Sequence, residues 1–106
     1  MRITVLLFFI LLTHLSLIGQ AENEAIKYFM QGVERFQGHD FQGAVMAYSQ
    51  AIFIDPDYVK AYYNRANAKL NLKDYRGALN DFDIILKLDP SFIKAYLYKG
   101  FTLLKI

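Results

Sequence analysis

At 106 residues the chain is long enough for one small domain and no more, and its 55% hydrophobic content is sufficient to fill a core. Twelve Lys and Arg against ten Asp and Glu leave a net charge of +2 with the signs interspersed, which excludes the basic footprint that nucleic acid requires. With no cysteine, disulfides, thiolate metal sites and cysteine lipidation are excluded together.

The first element is MRITVLLFFILLTHLSLIGQ, residues 1–20: one charge at Arg2, an almost unbroken apolar run, then small residues at Gly19 and Ala21. These are the parts of a secretory signal peptide. The expected cut follows Ala21 and leaves a mature domain of residues 22–106, sent to the periplasm, the exterior or another extracytoplasmic compartment. The alternative is an uncleaved anchor at residues 3–18, but that stretch carries Thr13, His14 and Ser16 and is shorter than the about 20 residues that span a bilayer. Membrane contact is expected only through this segment, if it stays uncleaved.

Beyond it the chain repeats itself. IFIDPDYVKAYYNRA at 52–66 returns as LKLDPSFIKAYLYKG at 86–100, and such a fixed register outranks any local pattern. A first helix carries Tyr28 and Gly32. Asp40 then starts a second, whose Phe41, Ala44, Val45, Tyr48, Ala51 and Ile52 form one buried stripe at helical spacing. Pro56 stops it, because it lacks an N–H and pushes its predecessor out of the helical region. Asp57 is then expected to cap a third helix with Tyr62 and Ala66. Asp74 starts a fourth, with Tyr75, Ala78, Leu79, Phe82, Ile85 and Leu86 as its stripe. Pro90 stops that one, and Ser91 is expected to cap a fifth with Tyr96 and Gly100. Gly32, Ala66 and Gly100 on one helix of each unit, and Ala44 and Ala78 on the other, mark close helix contacts around which the rings pack. Overpacking them, as in Gly32→Leu or Ala78→Leu, is expected to destabilise.

This pattern resembles the tetratricopeptide repeat family, whose 34-residue helix–turn–helix unit carries W-x₂-L-G-x₂-Y, A-x₃-F and a Pro. Tyr28, Gly32, Ala44, Tyr48 and Pro56 carry the likeness in the first unit, Tyr62, Ala66, Ala78, Phe82 and Pro90 in the second, and Tyr96, Gly100 and Leu103 in a partial third. Gln31, Arg65 and Lys99 stand where the pattern has Leu, and Arg35 and Lys69 where it has Tyr; Phe36 and Leu70 are expected to supply the apolar contact. The resemblance implies an all-α, right-handed solenoid with repeats at about 25–58 and 59–92 and a partial repeat at 93–106. It also implies a non-catalytic scaffold that binds a protein or peptide segment on its concave face.

On that face the resemblance places Phe29, Met30 and Val33 from the first unit, Lys60, Tyr63, Asn64 and Asn67 from the second, and Lys94, Leu97, Tyr98 and Phe101 from the third. Tyr rings offer broad contact at low entropy cost, Asn64 can bond both peptide N–H and C=O, and the lysines can attract a carboxylate. Asn64 could equally tie neighbouring helices, and the rings could pack between units. Relatives that grip acidic chaperone tails use a clamp of Lys, Asn and Arg donors. At the aligned positions this chain has Phe29, Val33, Asn64, Lys94 and Tyr98, of which only Asn64 and Lys94 match, so that kind of capture is not expected.

Catalytic parts are scarce. His14 lies in the leader and His39 in a turn, and no metal motif or phosphate loop is present. Asp81 and Asp83 are two apart on a helix and point apart, which reads as a solvated surface where Asp81→Ala should change little. No cofactor, metal or small-molecule substrate is expected. A second function is an assembly subunit that self-associates or docks through the apolar C-terminal helix, whose FTLLKI makes a poor cap. The same apolar end also fits an N-terminal fragment of a longer repeat array.

Overall fold

The computed structural model describes residues 2–106, so Met1 of the expected leader lies outside it. Five helices follow in order: α1 (Arg2–Gln37), α2 (Phe41–Ile54), α3 (Val59–Asn71), α4 (Tyr75–Leu88) and α5 (Ile93–Leu103), with no strand among the described residues. Each packs on the next, and α1 also touches α3, so α1/α2 and α3/α4 are stacked hairpins with α5 as the first helix of a third. This is the expected all-α solenoid. Helix α1 runs unbroken through the expected leader into the first repeat, and its 36 residues set much of the 64 Å long axis. None of its residues before Ala25 is buried.

The turns repeat with the sequence. Asp40 accepts from the Gly43 amide at 2.9 Å and Asp74 from the Gly77 amide at 3.0 Å, so both expected starts are N-caps. The Gly43 bond, and then Arg35, hold the Asp40 carboxyl below its ordinary range. Before each cap, His39 and Lys73 adopt left-handed backbone with φ of 61° and 62°. That turns the chain so that Asp40 N–H reaches Arg35 C=O and Asp74 N–H reaches Lys69 C=O, both at 2.9 Å, closing the ends of α1 and α3.

The proline turns differ from the reading in one respect. Helices α2 and α4 stop two residues before Pro56 and Pro90, as expected. Asp57 and Ser91, however, are not caps: the N-cap positions are Tyr58 and Phe92, and neither makes a side-chain cap bond. Instead Asp55 and Asp89 accept from the amides of Asp57 and Ser91, both at 3.1 Å, so that the preceding carboxylate shapes the turn and leaves these residues outside the helix. The following helix is pinned back by a tyrosine: Tyr62 donates to Pro56 C=O at 2.8 Å and Tyr96 to Pro90 C=O at 3.1 Å.

The core has two centres, Ala44, Tyr48 and Ala68 in one and Tyr62, Ala66, Ala78, Phe82, Ile85 and Ala95 in the other. Phe36 and Leu70 pack against them, as substitutes for the missing apolar positions at Arg35 and Lys69. A Cβ on Gly32 would land within contact of the Tyr48 ring, so this glycine is the hole for that knob. Gly100 was expected to play the same part and does not: a Cβ there meets nothing within 4 Å.

Asp81 is the main correction. It is fully buried rather than solvated. Arg65 donates to both of its oxygens, Nε to Oδ2 at 3.0 Å and Nη2 to Oδ1 at 2.6 Å, and Lys69 Nζ lies 3.0 Å from Oδ2. Arg65 also donates to Ser49 at 3.1 Å, which ties α2, α3 and α4 together through one guanidinium. Asp83 does sit on the half-exposed surface, 2.7 Å from Lys99. The cations that break the apolar pattern at 65 and 69 are thus the counter-charges of a carboxylate on the next helix.

Candidate functional site

Helices α1, α3 and α5 are the first helices of their units, and one face of each contributes to a shared surface. Helical spacing sets which residues reach it: Val33 and Gln37 on α1, and Asn64 and Asn67 on α3, lie three or four apart and share a face. They meet in an open cleft of about 320 Å³ with Phe36 and Tyr48. Val33, Asn64 and Asn67 were expected there. Phe36, Gln37 and Tyr48 were not, although the spacing from Val33 to Gln37 was a sufficient signal for the latter.

Tyr48 forms the floor. Its ring fills the Gly32 hole, and its hydroxyl lies 3.5 Å from Asn64 Nδ2 at the long limit of hydrogen bonding. Burial pushes the phenol pKa up, opposed by the Asn64 bond, so the cleft floor is neutral. An amide offers two donors and a two-lone-pair acceptor. Asn64 therefore does tie α3 to α2, yet that one long bond leaves most of its capacity for a ligand. Burial likewise raises the Tyr63 phenol, opposed by a hydrogen bond with Asn67.

The remaining residues divide into three groups. Phe29 is chiefly a packing residue, with its ring 5.7 Å from Tyr48 and 5.1 Å from Tyr58. Tyr63, Tyr98 and Phe101 form a chain of rings with Phe92, at centroid distances of 5.4 to 6.4 Å. Met30, Lys60, Lys94 and Leu97 are exposed outside the cleft, and neither lysine forms an ion pair among the described residues. One repeat further on, Tyr98 and Phe101 occupy the register of Asn64 and Asn67 and line a second cleft of about 280 Å³ with Leu70, Tyr75, Thr102 and Lys105. The surface thus changes from amides to rings along its length. No cluster suited to a metal ion occurs among the described residues.

Comparison with known proteins bears on this surface. Residues 32–73 match the family described as TPR repeat and residues 59–92 the one described as Tetratricopeptide repeat. The fold is similar to the TPR2B domain of yeast Sti1 in a pHsp70 complex, at 31% identity and a TM-score of 0.73, over 76% of this chain and 65% of that one. It is also similar to the first TPR of Spaghetti (RPAP3) bound to the HSP90 peptide SRMEEVD, at 25% identity and a TM-score of 0.76, over 79% and 67%. A third likeness is the Arabidopsis OM64 TPR domain, at 27% identity and a TM-score of 0.74, over 77% and 68%. The chain therefore spans about two thirds of these structures. No curated protein matched the sequence.

Proposed function

The chain belongs to the tetratricopeptide repeat family, and from that premise we propose that it is a non-catalytic module that holds a peptide segment in the cleft between α1 and α3. The observation that carries this reading is the unspent amide capacity of Asn64 beside the neutral floor of Tyr48. The Asn64 amide is only partly buried, so a peptide can reach it, and one that supplies backbone N–H and C=O groups gains both affinity and register. Asn67 extends the polar edge, and the rings of Tyr63, Tyr98 and Phe101 offer apolar contact further along.

Two of the similar structures hold chaperone-derived partners, one of them the acidic peptide SRMEEVD. In this chain the cleft itself contains no cation, and Lys60 and Lys94 stand outside it. The preferred segment is accordingly neutral with apolar side chains. A peptide selected from a random library on the full-length chain should bind Asn64→Ala or Tyr63→Ala at least about tenfold more weakly, and SRMEEVD should compete poorly. Wild-type affinity in both variants by fluorescence anisotropy would rule the cleft out.

We also propose that the module is exported from the cytoplasm, a reading supported by the character of α1. Helix α1 is long and apolar enough to cross a membrane, its 18-residue apolar window has a mean hydropathy of 2.0, and none of that window is buried. A cut after Ala21 removes no buried residue, since burial begins at Ala25. The exported protein should therefore begin at Glu22 by intact mass. A membrane-retained species beginning at Met1 would instead identify an anchor.

A further inference from the structure

The two clefts are one feature repeated. The first lies between α1/α2 and α3 and the second between α3/α4 and α5, where Leu70, Tyr98 and Phe101 stand 34 residues after Phe36, Asn64 and Asn67. Between them Tyr63 of α3 meets Tyr98 of α5 edge to face, with ring centroids 6.0 Å apart, and Tyr98 stacks on Phe82 at 6.2 Å. A segment that crosses the first helices therefore meets uncharged amides and the Tyr48 hydroxyl, and then a run of rings.

What the surface offers limits the backbone conformation of that segment. No strand occurs among the described residues, so no sheet edge supplies the row of N–H and C=O groups that holds a peptide as an added strand. A helical peptide satisfies its own backbone, so its main chain gains nothing from Asn64. A polyproline II segment makes no internal hydrogen bonds and presents bare carbonyls, and each proline in it lacks an N–H that would need a partner. Those needs match the groups that are free. Tyr48 accepts from Asn64, so its own O–H remains to donate, and Asn64 keeps a second N–H.

The spacing agrees. Packed helices stand about 8–10 Å apart, so successive first helices recur at about that interval. A polyproline II turn of three residues advances about 9 Å and brings one residue in three to each first helix in turn. A strand repeats a face about every 7 Å and falls out of step. Proline also suits the rings, since aromatic grooves take up a chain that is already extended and has little entropy left to lose.

We propose that the segment held along α1, α3 and α5 is proline-rich and lies in the polyproline II conformation, with its carbonyls on Asn64 and Tyr48 and its prolines on Tyr63, Tyr98 and Phe101. This rests on the peptide-binding reading and names the class of peptide.

The probe is a labelled, end-blocked peptide of four Ala-Pro-Pro repeats, added to the full-length chain in detergent micelles and followed by fluorescence anisotropy. It should bind saturably, and a proline-free peptide of four Ala-Ser-Val repeats should bind at least about tenfold more weakly. Asn64→Ala, which removes the free amide, and Phe101→Ala, which removes a ring that is 54% exposed, should each weaken binding at least about tenfold while circular dichroism shows the fold kept. No saturation by about 1 mM Ala-Pro-Pro peptide, equal binding of the two peptides, or binding indifferent to either variant overturns the proposal. Peptides selected from a random library separate that failure from failure of the reading beneath it. If proline-free selected peptides bind and lose affinity in Asn64→Ala, the cleft holds peptides and only the proline assignment falls; if no selected peptide responds to Asn64→Ala, both fall.

Discussion

Asp81→Ala is expected to lower the free energy of unfolding by about 3–5 kcal/mol. Asp83→Ala, two residues away, should cost less than about 1 kcal/mol. The difference follows from what each carboxylate leaves behind. Asp83 and Lys99 are both half-exposed, so either is resolvated when its partner is removed. Asp81 is inaccessible, and its removal strands Arg65 and Lys69, whose side chains are each only 15% exposed. Arg65 keeps its bond to Ser49 and its position 5.5 Å over the Tyr62 ring, and these do not neutralise it. Replacing all three charges together, with Leu at 65 and 69 and Ala at 81, should recover most of the loss, because a buried ion pair gains little over apolar packing once its desolvation is counted. Urea unfolding followed by circular dichroism measures all three variants. Equal losses for Asp81→Ala and Asp83→Ala would show that Asp81 is hydrated in solution and that the buried triad does not hold the second unit together.

Asp81 also marks where the sequence stops being legible. The helices, the caps at Asp40 and Asp74 and the proline stops depend on spacings of a few residues, and the 34-residue register confirms each one twice. Asp81 depends on partners in another helix, and its neighbour Asp83 gave the pair the look of a solvated surface. The signal was present in a different place. Arg65 and Lys69 are four apart and interrupt positions that the pattern reserves for apolar residues, and two cations on one buried face require an anion from elsewhere. The cleft divides in the same way. Val33, Asn64 and Asn67 were legible because first helices face the groove in register. Tyr48 was read only as a core ring, since nothing local shows that its hydroxyl emerges between α1 and α3. The caps at Asp57 and Ser91 were misassigned because a turn shaped by the preceding Asp55 or Asp89 competes for the same few residues.

Gly32→Leu and Gly100→Leu should move stability in opposite directions, although the two glycines occupy one register. In an isolated helix both changes would be favourable, since glycine is worse than other ordinary residues by up to about 1 kcal/mol. At position 100 that gain should survive, because the added side chain meets open space. At position 32 the first added carbon already meets the ring of Tyr48. That ring is 1% exposed, rests on Phe29 and is linked to Asn64, so it has no room to retreat without opening the cleft. The expected cost of Gly32→Leu is about 1–3 kcal/mol or more, the range for overpacking a filled contact. Even Gly32→Ala, favoured by helix propensity, should destabilise, and it should weaken peptide binding as well because the cleft floor moves with the ring. Thermal unfolding of the three variants decides the matter. Stabilisation by Gly32→Leu as well as by Gly100→Leu would mean that the Tyr48 ring yields easily, and the close α1–α2 contact would then not be what fixes the cleft.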